Sequence, residues 1–174
     1  APVLRIGPSH GGELDPSAAM AELRGMPFRD IGVASVDHHR ALRQGAPEVI
    51  FGEGKTAEQI GVIVEEMDGA GHNVLITRLA AEKATWLGER YPDLRYVSVA
   101  RIGRLSRHPI ASRPASAVAV ICAGTSDAAV AEEAIETLDA VGLRAERMFD
   151  VGVAGIHRLF DRFARLEEVG AAIV

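Results

Sequence analysis

Ala117-Val118-Ala119-Val120-Ile121-Cys122-Ala123-Gly124-Thr125-Ser126-Asp127 is the stretch on which the fold turns. Its first five residues are a continuous apolar run, the pattern of a strand buried on both faces in a parallel sheet. A loop with a glycine and small polar residues follows. From Asp127 to Val141 the apolar residues then recur at helical spacing. Val130, Ala134, Leu138 and Val141 are predicted to face the sheet and Glu132, Glu133 and Glu136 to face water, with Gly142 as the helix stop. A second unit repeats the plan. Arg144 to Phe149 predicts a strand, and Asp150-Val151-Gly152-Val153-Ala154-Gly155-Ile156-His157-Arg158 a loop that opens a helix. That helix is predicted from Ala154 to about Glu168, burying Ile156, Leu159, Phe160, Phe163 and Leu166. Ala171 to Val174 starts a third strand. Three strands are few for such a sheet, and the chain reads as cut off at that point.

Two successive strand–loop–helix units predict neighbouring parallel strands joined by right-handed crossovers. Both loops then lie at carboxyl ends of strands, where open α/β sheets bind ligands. Each loop offers glycine, backbone N–H groups at a helix start and polar side chains, a combination suited to a phosphate or carboxylate.

Working back from this stretch, residues 101–116 have no clear period and hold Gly103, Pro109 and Pro114 with several arginines. They are read as a linker. Residues 31–100 alternate strand and helix patterns and predict a small α/β domain. Its strands are expected at Ile31–Val36, Glu48–Phe51, Asn73–Thr77 and Arg95–Val99. Its helices are expected at Asp37–Arg43, at Ala57 to about Asp68 and at Ala80–Arg90. The second of these places Ile60, Ile63, Val64 and Met67 on one face. Residues 1–30, with Pro2, Pro8, Pro16 and Pro27, read as an extended or loosely packed segment holding at most a short helix from Pro16 to Leu23. The incomplete parallel-sheet domain spans 117–174.

Composition narrows the function classes. Hydrophobic residues make up 48% of the 174, enough for a sizeable core, and 19 Lys and Arg against 24 Asp and Glu leave a net charge of −5. A mildly acidic chain without a basic block is not a general nucleic-acid binder. Its apolar runs are too short for a membrane span, and no signal peptide is evident, although the chain does not begin with Met. A single cysteine, Cys122, excludes an internal disulfide and a cysteine zinc site. A reducing, cytoplasmic setting is the default expectation.

Several motifs have plain structural readings. Gly52-Glu53-Gly54-Lys55-Thr56 lacks the first glycine of a Walker A loop, where Val49 stands. A glycine turn with Thr56 capping a helix accounts for it. Asp37-His38-His39 is a poor metal motif, because adjacent histidines on a helix point about 100° apart. Neither loop of the parallel sheet matches G-x-G-x-x-G. Taken alone, Ala123–Asp127 is an ordinary strand-to-helix turn, and His157 is a first-turn helix residue beside Ile156. Cys122 ends an apolar strand and reads as a buried structural thiol.

Beyond these generic readings, Val120-Ile121-Cys122-Ala123-Gly124-Thr125-Ser126-Asp127, Val130-Ala131-Glu132-Glu133-Ala134 and Asp150-Val151-Gly152-Val153-Ala154-Gly155-Ile156-His157-Arg158-Leu159 together resemble the LarB family. These are pyridinium-biscarboxylic acid mononucleotide synthases of nickel-pincer cofactor biosynthesis. Asp37-x-His39-Arg40-x-x-Arg43-x-Gly45-x-Pro47-Glu48-Val49, followed by Gly52-Glu53-Gly54-Lys55-Thr56, resembles the same family's amino-terminal signature. The carboxyl-terminal half of that family is similar to PurE-type aminoimidazole ribonucleotide carboxylases, whose Ser-Asp and His-Arg pairs match Ser126-Asp127 and His157-Arg158. No Trp follows Asp127, the second loop is glycine-rich and an extra amino-terminal domain is present, departures that favour the pincer-cofactor branch.

The resemblance implies a PurE-like, flavodoxin-like parallel-sheet domain behind a small α/β domain. It implies carboxylation of the pyridinium ring of nicotinic acid adenine dinucleotide, with hydrolysis of its phosphoanhydride to release AMP. His157 and Ser126 would be catalytic. Gly124, Thr125, Ser126, Asp127, Asp150, Gly152, Gly155 and Arg158 would bind substrate. CO2 or bicarbonate is the implied co-substrate and Mg2+ the implied metal, with ligands unassigned; no organic cofactor is implied. A homo-oligomer, an octamer in the PurE-type enzymes, is implied, and the family's nucleophilic cysteine lies in a segment carboxyl-terminal to Val174. A purine-type carboxylase and a non-catalytic nucleotide-binding regulatory domain remain as alternatives.

Overall fold

The computed structural model describes residues 29–38, 40, 48–113 and 116–174. β1 (Arg29–Asp30) and β2 (Ser35–Val36) form an antiparallel ribbon. The single strand expected at 31–36 is therefore a hairpin. Gly32 takes φ +80° and donates its N–H to Asp30 Oδ1 at 2.9 Å, and Ile31 N–H reaches Ala34 O at 2.9 Å. The left-handed glycine turns the apolar run back on itself. The helix expected at 37–43 and the segment expected at 1–30 fall mostly outside the described residues.

β3 (Val49–Phe51), β4 (Val74–Thr77), β5 (Arg95–Val97) and β6 (Ile102–Leu105) build a four-stranded sheet in the order β3-β4-β6-β5. β3 and β4 are parallel, while β6 runs antiparallel to both neighbours. α1 (Ala57–Gly69) and α2 (Ala81–Arg90) cover one face. The expected apolar stripe of α1, Ile60, Ile63, Val64 and Met67, is buried against Ile50, Val74, Ile76, Leu105 and Leu87. α1 starts where the sequence places it. Thr56 Oγ1 accepts Gln59 N–H at 3.2 Å and Gln59 Oε1 accepts Thr56 N–H at 3.0 Å, a capping box. It ends at Gly71, φ +76°, with the two bonds of a Schellman stop, Gly71 N–H to Asp68 O and His72 N–H to Met67 O, both 2.9 Å.

The start of the expected linker is strand instead. All four residues of β6 are buried, Arg104 included. Glycine and arginine hid the strand from a hydrophobicity reading. A Cβ on Gly103 would come within 2.8 Å of Leu79 Cδ2, so close packing requires the glycine there. Asn73 then anchors the chain as it leaves β6: its Oδ1 accepts Arg107 N–H and its Nδ2 donates to His108 O, each at 2.9 Å.

β7 (Val118–Ile121), β8 (Ala145–Met148) and β9 (Ala171–Ile173) form the second sheet, in the order β8-β7-β9 with every pairing parallel. The α/β class and the parallel arrangement agree with the sequence reading. A 3-10 turn at Thr125–Asp127 leads into α3 (Ala128–Ala140), which stops at Gly142, φ +77°.

α3 departs from expectation in the face it presents. Val130 is 61% exposed, and Ala131 is buried in its place with Val120 and Cys122. Glu133 and Glu136 do not face water. They turn to the four-stranded sheet, where Arg78, Arg95 and Arg104 receive them. Ala140 packs on Leu75, Ala100 and Ile102, on the face of that sheet opposite α1 and α2. One helix is thus shared by two sheets, which a one-dimensional pattern cannot reveal.

The long helix expected over 154–168 is broken. It consists of a 3-10 turn at Val153–Gly155, α4 (His157–Phe160) and α5 (Phe163–Leu166). Arg162, with φ −106° and ψ 5°, separates the last two. Ile156, Phe160 and Phe163 are exposed rather than buried. Leu159 and Leu166 of the expected apolar face are half-buried, so among the described residues that face is only partly covered. No helix of the described residues is long and apolar enough to cross a membrane.

Candidate functional site

β7 and β8 pair in register from Val118↔Ala145 to Ile121↔Met148, so the loops that follow them emerge side by side. Backbone bonds continue past the strands and hold the loops together. Cys122 N–H donates to Met148 O (3.0 Å), Val151 N–H to Cys122 O (3.2 Å) and Gly152 N–H to Ala123 O (3.1 Å). A Cβ at Gly152 would lie 2.9 Å from Ala123 O, so only glycine permits this approach.

In the first loop, Asp127 organises the turn. Its Oδ2 accepts Gly124 N–H and its Oδ1 accepts the Ser126 hydroxyl, both at 3.2 Å. Thr125, Ser126 and Asp127 are all exposed. In the second loop, Asp150 has φ +59°, a left-handed conformation that costs a non-glycine residue roughly 1–2 kcal/mol. Its carboxylate accepts Arg158 Nη1. The Arg158 guanidinium lies across Gly155, where any side chain would collide with it. Both members of this pair are well exposed. Such a pair contributes about 0–1 kcal/mol. His157 opens α4 and is exposed.

The structure brings the two loops together as their strand neighbours require. Among the described residues, however, no hydrogen bond joins Ser126-Asp127 to His157-Arg158. A cavity of about 390 Å³ lies to one side, lined by Val120–Ala123, Asp127, Val130, Ala131, Ala134, Ile173 and Val174. It sits between the carboxyl ends of β7 and β9. In the order β8-β7-β9 the chain leaves β7 toward one side and returns to the other, which makes this crevice the topological switch point. Asp127 is the one nominated residue that lines it. The sequence could not place it, because the strand order was not readable. Cys122 also borders it and is 7% exposed, in keeping with the buried thiol expected.

No three His, Cys, Asp or Glu side chains among the described residues converge as metal ligands would. The loops' own carboxylates, Asp127 and Asp150, are each engaged within their own loop. They do not by themselves form a Mg2+ site.

Comparison with known proteins supplies the rest. Residues 28–107 match the LarB/PurE-like N-terminal domain. An uncharacterized protein of Methanocaldococcus jannaschii is 33% identical over 139 residues, covering 76% of this chain and 54% of its own length. That share of the chain is more than residues 1–107 can supply, so the similarity continues past the matched domain. The chain spans about half the length of this relative. The residues that build the four-stranded sheet with α1 and α2 are therefore similar to a LarB/PurE-like N-terminal domain.

Proposed function

We propose that this protein is a carboxylase–hydrolase acting on nicotinic acid adenine dinucleotide, adding CO2 to its pyridinium ring and cleaving the phosphoanhydride to release AMP. The match of residues 28–107 to a LarB/PurE-like N-terminal domain supports the PurE-like class. The observation that carries the reading to this chain's residues is the pair of loops stitched by Gly152 N–H to Ala123 O. The stitching sets Ser126-Asp127 and His157-Arg158 at the carboxyl ends of adjacent parallel strands.

In this reading Arg158 leaves Asp150 to hold a phosphate, with the Gly124–Asp127 turn on the ribosyl-phosphate end. The pyridinium carbon is electron-poor and does not attack CO2 unaided. A thiolate adding to the ring makes an enamine-like carbon that does. A base then takes the ring proton, a role we assign to His157, and the thiolate departs as the ring regains aromaticity. Cys122 is too enclosed to be that nucleophile. The family resemblance assigns it to a carboxyl-terminal segment. The described residues offer no ligand set for the Mg2+ that the resemblance implies, so no step of this reading is placed on a metal.

The test is incubation of the whole protein with nicotinic acid adenine dinucleotide and 13C-bicarbonate, followed by mass spectrometry. A labelled carboxylated mononucleotide together with AMP is expected. Label transferred instead to aminoimidazole ribonucleotide would assign the purine-type activity. Nucleotide binding without turnover of either would leave a regulatory domain.

A further inference from the structure

Arg104 is the buried charged residue among those described, at 7% exposure. It lies on the central strand β6, opposite Leu75 of β4 and Arg95 of β5. Both of its acidic partners belong to α3: Nη1 donates to Glu136 Oε2 at 3.1 Å and to Asp139 Oδ2 at 2.5 Å. Arg95 grips the same Glu136 with two bonds of 3.1 and 3.0 Å. Burial weakens the Arg104 cation, but the bonds to Asp139 and Glu136 outweigh it and hold the guanidinium above its ordinary pKa. One turn nearer the amino end of α3, Glu133 meets Arg78 Nε at 3.0 Å, just past the carboxyl end of β4.

These contacts set the direction of α3. Glu133 lies at the carboxyl end of β4 and Asp139 beside the residue paired with Leu75, so α3 runs antiparallel to β4. It also returns antiparallel to β7, which it follows through a tight turn. The Thr125–Asp127 turn that leads into α3 is thereby fixed in rotation and register by residues about two to three turns further along the helix.

We infer that Arg104 is a positioning residue for the Gly124–Asp127 loop: through Glu136 and Asp139 it seats α3 on the four-stranded sheet and so sets where that loop stands against the Asp150–Arg158 loop. This rests on the reading of those loops as the ligand site. It gives the amino-terminal domain a role in shaping a site that it does not itself carry.

The test compares wild type with Arg104→Met, Arg104→Lys and Asp139→Asn in the whole protein. Asp139 is 69% exposed, so the last variant folds even if the first does not. Hydrogen exchange of the amides of 124–133 is expected to rise about tenfold or more in Arg104→Met and less in Asp139→Asn. Exchange in α1 should be unchanged, because local opening is confined to the released helix. Arg104→Lys should recover part of the protection. Affinity for nicotinic acid adenine dinucleotide should fall about tenfold or more in Arg104→Met, the scale on which small misplacements act. Unchanged exchange at 124–133 in both Arg104→Met and Asp139→Asn would overturn the inference. So would a uniform rise that includes α1, the mark of general destabilisation. Selective loosening of the loop in a protein that binds no nucleotide would uphold the positioning role and remove the site reading instead.

Discussion

In the four-stranded sheet, Ile76, Ile102 and Leu105 are withdrawn from water completely, with α1 and α2 on one face and α3 on the other. In the three-stranded sheet, every residue of β9 is exposed, and Phe160 and Phe163 beyond β8 lie open at 62% and 51%. The two sheets share α3, so the contrast lies in what covers their other faces. Regions with few buried apolar contacts open at lower free energy than a covered core. Among the described residues the first sheet is thus covered on both faces, and the second, from which the two loops and the switch-point crevice emerge, is the more open.

The largest expected effect tests the covered side. Leu87 is fully buried, and Leu87→Ala should cost about 2–5 kcal/mol in denaturant unfolding. Phe163→Ala, at an exposed site, should cost less than about 1 kcal/mol. Equal costs would erase the contrast. On the open side the sign of the contrast reverses, because function rather than stability suffers. Arg158→Ala should weaken nucleotide binding by about 1.5–3 kcal/mol through loss of a charge-assisted contact, while unfolding stability moves by less than about 1 kcal/mol. Calorimetric titration beside a thermal melt separates the two, and unchanged affinity removes Arg158 from the site.

Gly152→Ala sets a methyl against Ala123 O and should destabilise by about 1–3 kcal/mol. Loss of amide protection at Val151 and Gly152, read by exchange, would locate the damage at the seam between the loops. The smallest effect is expected for Asp150→Gly. Relief of the left-handed strain and the greater freedom of glycine in the unfolded chain nearly cancel, leaving stability within about 1 kcal/mol of wild type. Binding should nonetheless change, since Arg158 loses the group that orients it. A melting point far below wild type would show that the Asp150–Arg158 pair is structural.

Local signals were legible where one residue type does one local task. Thr56 announces the start of α1, Gly71 and Gly142 stop two helices, and the apolar run at 118–121 is the central strand of a parallel sheet. The signals failed where burial is decided by a distant partner. Arg104 reads as a linker residue until Glu136 and Asp139 stand beside it, and Glu133 reads as solvated until Arg78 does. Gly32 made a hairpin of an expected strand. In the candidate site, the residue types and their loops could be read from the sequence, but the position of β9 beside β7, and hence the crevice, could not.

The salt links between α3 and the four-stranded sheet have a thermodynamic corollary. A ligand that closes on the Gly124–Asp127 loop prefers α3 seated, and linkage is reciprocal between coupled sites. Saturation to about 100 times the dissociation constant adds about 2.7 kcal/mol to whatever unfolds together with the binding-competent state. Trp86, whose ring packs on Gly61 in the first domain, is the chain's single tryptophan. Its fluorescence would therefore register, as a raised unfolding midpoint, an occupant bound to the other sheet.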